Sequence, residues 1–248
     1  MLIAQGIGCA IADDVQEQAT GLFARGNAAY QEGAFERAEQ HYRQILDLGI
    51  ESGPIYYNLG NSCFKQKRLG EAVYFWEKAK QTLPGDREIE ENLELASLLL
   101  VDRIEIPPDP LPLEWLKRVM GLLTISQEVW IVLAFFFATN ILFTLYLLLK
   151  NPRNAFRALI VFFGTGVLFL IFAGSLSWKV YERDYRRSGV VVEQKVDVLS
   201  GPGLDNITVF TIHEGIKVRV HGSTNGWLQI SLPNGWNGWL PQDTIRIL

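Results

Sequence analysis

The 248-residue chain has little of what most site chemistries require: two cysteines, three histidines and two methionines. Two cysteines, Cys9 and Cys63, exclude a disulfide-stapled scaffold and a thiolate-rich metal centre. Cys9 lies in a leader-like segment and Cys63 at a position expected in a core, so no intramolecular disulfide is expected. The three histidines, His41, His213 and His221, are scattered and lack the clustered partners a metal needs. No carboxylate pair, Cys/His pair or nucleophile elbow accompanies them, so the expectation is a protein that is not an enzyme, with no cofactor and no metal. Ser200-Gly201-Pro202-Gly203 reads as a turn rather than a phosphate loop, since no lysine follows it. Charged residues make up only 20% of the chain and the formal charge is −4, which excludes a nucleic-acid binder driven by net positive charge.

What the chain has instead is an apolar excess. Hydrophobic residues make up 48% of it and its mean hydropathy is positive. The excess sits in two uncharged runs, 130–149 and 158–178, of 20 and 21 residues. Each matches the roughly 20 residues that carry a helix across a ~30 Å hydrocarbon core. A single globular domain is thereby excluded. Residues 1–12 are apolar or small and end in Ala10-Ile11-Ala12, the small-x-small pattern of a signal-peptide-like leader. No Lys or Arg precedes Arg25, so a basic start upstream of Met1 is expected if the leader is functional. A lipoprotein reading around Cys9 lacks the usual leucine three residues earlier.

A repeat of 34 residues organises the next segment. Gly26 and Gly60, Asn27 and Asn61, Ala38 and Ala72, and the aromatics Tyr42 and Trp76 are each 34 apart. In each copy a small residue on the first helix lets the second helix approach, an alanine packs closely, and an aromatic fills the space between helices. Pro84 closes the second copy. This pattern is similar to the tetratricopeptide (TPR) repeat over about 19–85, placing two repeats within 13–85. A capping helix follows over 86–104, with Ile89, Leu93, Leu95, Ala96 and Leu99 as its apolar residues. Two repeats and a cap fall short of the usual three, so self-association or a partner is expected to add stability. The TPR resemblance implies a concave groove lined by Phe23, Asn27, Tyr30, Gln31, Tyr57, Asn58, Asn61, Phe64 and Lys65. Asn27 and Asn58 match a carboxylate-clamp pattern, but Phe23 and Glu88 stand where cations belong. An extended or helical peptide segment is therefore the expected occupant, against a groove that is solvated or filled by the chain's own N-terminal segment. The segment 13–109 carries 18 acidic and 10 basic residues, net −8, which opposes anionic lipid and nucleic acid.

Four prolines within 107–112 make a stiff linker. Residues 113–123, with Trp115, Lys117 and Arg118, read as an interfacial helix, the linker and helix together occupying 105–129. Ser126 and Glu128 read as the cap of the first span. The connection 150–157 is short enough to force a hairpin, so both flanking portions lie on one side of the membrane. Its three cations argue for a cytoplasmic loop. Lys117, Arg118, Lys179, Arg183, Arg186 and Arg187 on the flanks argue the other way, and the leader decides for flanks outside the cytoplasm. Asn140 and Thr144, facing Gly164, Thr165, Gly166, Gly174 and Ser175, are expected to let the helices meet. No ionisable residue falls inside either span, so a transport pathway is disfavoured and anchoring is the expected role.

From Gly189 the pattern alternates with period two between turn signals, and the small barrel expected over 189–248 has strands at 190–193, 196–199, 209–212, 216–221, 226–232 and 238–240. Asp197-Val198-Leu199-Ser200-Gly201-Pro202, His213-Glu214-Gly215, Gly226-Trp227 and Gly238-Trp239-Leu240 resemble the bacterial SH3 (SH3b) domain. Trp227, Trp236 and Trp239 are candidates for a ligand platform, with barrel packing the competing reading for Trp227 and Trp239.

The fold class expected is thus a multidomain membrane protein: an all-α TPR domain, a two-helix transmembrane hairpin and an all-β SH3-like barrel. That order of modules resembles the BatE-like proteins of bacterial aerotolerance operons. The resemblance implies an inner-membrane location, partnership with membrane-anchored von Willebrand factor A proteins and a MoxR-type ATPase, and a part in oxidative- or envelope-stress tolerance. The sequence thus supports a membrane-anchored scaffold with outward-facing interaction modules. The alternative is an envelope sensor that reads peptidoglycan through its SH3b domain.

Overall fold

The computed structural model describes residues 2–104, 123–149, 151–185 and 187–248. The proline-rich linker and nearly all of the expected interfacial helix lie outside the described residues. The chain divides into two compact units, Met1–Ile106 with Arg187–Leu248, and Pro107–Arg186.

The first unit opens with five helices, α1 (Leu2–Gln31), α2 (Phe35–Asp47), α3 (Gly53–Lys65), α4 (Leu69–Thr82) and α5 (Arg87–Leu99). The helix α1 continues without a break from the leader-like segment into the first repeat. Ala38, Ala72 and Cys63 are fully buried, as are Tyr42 and Trp76. The glycines explain why. A Cβ on Gly26 would stand 2.5 Å from the Tyr42 ring, and one on Gly60 would stand 2.5 Å from Trp76. The turns also repeat. Gly33 donates to the Tyr30 carbonyl and Ala34 to the Ala29 carbonyl; 34 residues on, Lys67 donates to Phe64 and Arg68 to Cys63. Gly33 has φ 78° and Lys67 φ 62°, so the second copy places a lysine where the first uses glycine. Asp86 caps α5 through the Glu88 and Ile89 amides. The face of α5 is narrower than the sequence suggests: Ile89 and Ala96 are buried, but Leu95 and Leu99 are exposed.

The rest of this unit is a seven-stranded antiparallel sheet, β1 (Ser188–Val191), β2 (Lys195–Leu199), β3 (Thr208–His213), β4 (Lys217–Thr224), β5 (Trp227–Ser231), β6 (Asn237–Pro241) and β7 (Ile245–Ile247), in the order β3-β2-β6-β5-β4-β1-β7. Inward residues alternate along it, with Val196, Val198, Leu228, Ile230 and Leu240 in its core. Asn225 and Gly226 both have positive φ, 50° and 79°, the type I′ geometry that joins β4 to β5. The strand β7, which follows a 3₁₀ turn at Gln242–Thr244, extends the sheet beyond the six strands expected.

The sheet is fastened to the helices rather than strung beside them. Val190 is buried in the helical core, and Leu248 packs against it. In exchange, Leu100 and Ile104 pack against the sheet's core. The Gly70 amide donates to Glu214 Oε2 at 2.7 Å, Lys217 pairs with Glu77 at 2.6 Å, and Asp102 accepts from both the His213 amide (2.6 Å) and ring Nδ1 (3.0 Å). Glycine is required at the seam, since a Cβ on Gly70 would lie 2.6 Å from the Val191 carbonyl.

The second unit is a helical hairpin, α6 (Ile125–Leu148) and α7 (Pro152–Tyr185). Both helices are long and apolar enough to cross a membrane, with mean hydropathy of 2.3 and 2.4 in their most apolar stretches. Three expectations are corrected here. The connection is tighter than 150–157, because α7 begins at Pro152 and Arg153 and Arg157 lie within its first turns. Thr124 and Gln127, not Ser126 and Glu128, form the capping box of α6. Glu128 is instead buried between the helices, where its Oε1 accepts from Ser175 (2.8 Å) and Lys179 (3.1 Å). A hydroxyl–hydroxyl bond also joins Thr139 to Thr165 at 3.2 Å, while Asn140 and Thr144 bond backward within α6. Gly164 and Gly174 face open space, so they are not the points of close approach. Ring pairs such as Phe135–Phe172 and Phe143–Phe162 fill the seam.

Candidate interaction surfaces

The groove candidates stand on the first helices of the repeats, α1 and α3. Phe23 rests against Tyr42, Tyr30 against Phe35, and Phe64 against Trp76, each half-buried with part of its ring outward. Gln31 and Lys65 are exposed at the C-terminal ends of their helices. Tyr57 donates its hydroxyl to Glu88 at 2.9 Å.

The asparagines form a ladder with the same 34-residue period. Asn27 Oδ1 accepts from the Tyr42 hydroxyl (2.8 Å) and Asn58 Nδ2 (3.1 Å). Asn61 Oδ1 accepts from Trp76 Nε1 (3.0 Å) and Asn92 Nδ2 (3.1 Å). The indole N–H is a donor only, so it fixes which way the Asn61 amide faces. Both Asn27 and Asn61 thereby have their carbonyl oxygens occupied. The Asn61 side chain also reaches the Tyr57 hydroxyl, which ties α3 more closely into the ladder. Asn92 is absent from the groove residues that the TPR resemblance implies, although Asn58 and Asn92 differ by the same 34 that reveals the repeat.

Below this groove lies an ionic cluster. Glu39 is 8% exposed and accepts from Arg43 (2.8 Å), Arg68 (2.7 Å) and Gln66 (2.8 Å); Glu71 accepts from Arg43 (3.0 Å) and Arg68 (2.7 Å). Burial alone would raise the Glu39 carboxyl, but the hydrogen bonds from Arg68, Arg43 and Gln66 outweigh it and hold it below its ordinary value. Cys63 has its thiol pushed up to about 12, by burial first and then by Glu39. Glu39, Cys63 and Glu71 bring three ligand-type atoms within 4.8 Å of one another. Two guanidinium groups already neutralise the two carboxylates, and the thiol is held protonated, so the donor set does not fit a divalent cation. Its chemistry is that of a structural network tying α2 to α3 and α4.

On the sheet the three tryptophans do not form one surface. Gln229 stands opposite Trp239 and Trp227 opposite Pro241, which places Trp227 and Trp239 on the outward face of β5 and β6, each half-buried. Trp227 lines a cleft of about 390 Å³ with Leu199, Leu204, Asn206, Asp197 and Pro241. Trp236 is 57% exposed and lies on Phe210 at 5.3 Å, outside that cleft. Leu204, Ile207 and Val209 add exposed apolar surface along the β2–β3 connection.

No family model matches the chain. A segment of 54 residues is 39% identical to stress-induced-phosphoprotein 1 of Caenorhabditis elegans, covering 22% of this chain and only 17% of that protein. In structure, 22% of the chain is similar to the C-terminal SH3 domain of myosin IB from Entamoeba histolytica, covering 90% of that domain at 22% identity and a TM-score of 0.16. Five helices with a 34-residue repeat, two long apolar helices and a seven-stranded antiparallel sheet together make this a helical-plus-β multidomain chain.

Proposed function

We propose that the chain is a non-enzymatic adaptor anchored in a membrane by the α6–α7 hairpin, holding protein partners through its repeat groove and its β-module. The observation that carries this reading is the docking of the sheet onto the helices. Its polar fastenings come from α4 and residues 100–104, whereas the groove residues lie on α1 and α3. One compact unit therefore offers two surfaces that do not compete. Docking between segments on either side of the hairpin also supports their lying on one side of the membrane. We further infer, on the resemblance to BatE-like proteins, that this side is the periplasm, the membrane is the bacterial inner one, and the partners are von Willebrand factor A proteins and a MoxR-type system acting in stress tolerance. A photo-crosslinker placed at Gln31 or Lys65 in membranes tests the groove. The reading requires partner adducts there that vanish with Asn61→Ala and Phe64→Ala, and adducts no different from those at Gln81, outside the groove, would sink it.

The cleft at Trp227 supports a second reading, an envelope sensor for peptidoglycan. An aromatic face flanked by the Asn206 amide, the Asp197 carboxylate and the Thr208 and Thr244 hydroxyls suits a glycan or stem peptide. Co-sedimentation of the detergent-solubilised chain with purified sacculi, lost on Trp227→Ala, supports it; no co-sedimentation eliminates it.

A further inference from the structure

Where β7 meets the second helices of the repeats there is a cleft of about 260 Å³ that neither proposed function uses. Its apolar wall is formed by Tyr56, Tyr74 and Phe75 from α3 and α4. Three cations reach it: Arg43 from α2, Lys78 from α4 and Arg246 from β7. Arg43 is already committed, to Glu39 and Glu71. Lys78 and Arg246 are not. The Lys78 ammonium lies 5.8 Å from the centre of the Tyr56 ring, and neither cation has a carboxylate partner among the described residues. An unpaired lysine over an aromatic face is unusual in a repeat segment whose formal charge is strongly negative, and here an unpaired arginine from β7 joins it.

We propose that this cleft binds a monoanionic carboxylate borne on an aromatic or aliphatic group, with the carboxylate between Lys78 and Arg246 and the apolar body against Tyr56, Tyr74 and Phe75. The planar fork of Arg246 suits two carboxylate oxygens, and Lys78 supplies the second charge. The lining decides the valence. With Arg43, Lys78 and Arg246 set against Glu51 and Glu71, it carries a net formal charge of +1. A monoanion neutralises it, while a dianion would meet repulsion from Glu51. Because Arg246 comes from the sheet and the other groups from the helical repeat, the site exists only in the docked unit.

The test is ¹⁹F NMR titration of the full chain in detergent micelles with 4-fluorobenzoate, its uncharged isostere 4-fluorobenzamide, and 4-fluorophenyl phosphate. The benzoate is expected to bind in preference to both others. Lys78→Gln and Arg246→Gln should each weaken it by about tenfold, the loss of one charge-assisted contact. Glu51→Gln should tighten binding and admit the phosphate, which separates a charge effect from misfolding. An acetylated Gly-Phe dipeptide with a free carboxylate distinguishes a chain end from a free acid as the natural source, and preference for either supports the site. Equal binding of benzoate and benzamide, no detectable binding, or binding unaffected by both cation substitutions in variants that melt like the parent would overturn the proposal.

Discussion

Glu214 is expected to act as the N-terminal cap of a helix 144 residues earlier in the chain. The helix α4 begins at Leu69 behind Arg68, whose side chain makes no capping bond. The first turn of any helix leaves amide donors without intrahelical partners. Here the Gly70 amide is satisfied by Glu214 Oε2 at 2.7 Å, and its carboxylate stands at the positive end of the helix. Removing a side-chain cap costs roughly 1 kcal/mol, and losing an anion at that place adds about 0.3–1 kcal/mol. Glu214→Ala should therefore cost about 1–2 kcal/mol locally, and Glu214→Gln, which keeps the acceptor, about half that. Hydrogen exchange of the full chain in micelles, followed by mass spectrometry, reads this directly. The first turn of α4 should exchange about 5- to 30-fold faster in Glu214→Ala, with a smaller rise in Glu214→Gln. Unchanged exchange there in Glu214→Ala would refute the reasoning, because the sheet would then be resting on α4 without contributing to it.

Three further outcomes follow from the helical repeat. Asn61→Ala strips the Trp76 indole and Asn92 of their common acceptor, and should lower stability by about 1–3 kcal/mol in urea unfolding, since Trp76 is buried. Lys67→Gly relieves a left-handed lysine (φ 62°) and should raise the melting temperature; the gain should be about 0.5–1 kcal/mol, whereas Gly33→Ala should cost a similar amount. Glu39 is held below its ordinary value in the folded state, so its contribution is complete above the usual glutamate range and is lost as pH falls through that range toward the lowered value. The melting temperature of the parent should accordingly fall more steeply between about pH 5 and pH 3 than that of Glu39→Gln, which is the less stable protein at neutral pH.

Much of the fold could be read in the sequence because its signals are local or periodic. The 34-residue spacing aligned Gly26 with Gly60 and Tyr42 with Trp76, and those contacts are the ones that set the helix pairs. The two apolar runs needed only length. Other features were less legible. Alternation alone draws Gly226 into a strand, although its positive φ puts it in the type I′ turn before β5, and β7 is three residues long, too short for a period. Glu128 lies near the start of an apolar helix, where a carboxylate ordinarily caps; only the position of α7 shows that it faces Ser175 and Lys179. The seam of Gly70 with Glu214 and Asp102 with His213 joins residues more than 100 apart, and no spacing rule links them. Alternation along β1 could show that Val190 is inward, but not that it completes a helical core.

The central claim, that helices and sheet form one body on one side of a membrane held by a hairpin, is tested most directly by labelling single introduced cysteines with a membrane-impermeant maleimide in spheroplasts. Gln81→Cys and Ser223→Cys lie on exposed positions of the repeat and the sheet, Asn154→Cys lies at the start of α7, and native Cys63 is buried. Replacing Cys9 with serine removes the remaining background. The account predicts that Gln81→Cys and Ser223→Cys label equally in intact spheroplasts and that Asn154→Cys labels only after permeabilisation. Labelling of Gln81→Cys and Ser223→Cys from opposite sides, or of Asn154→Cys together with either of them before permeabilisation, would contradict it.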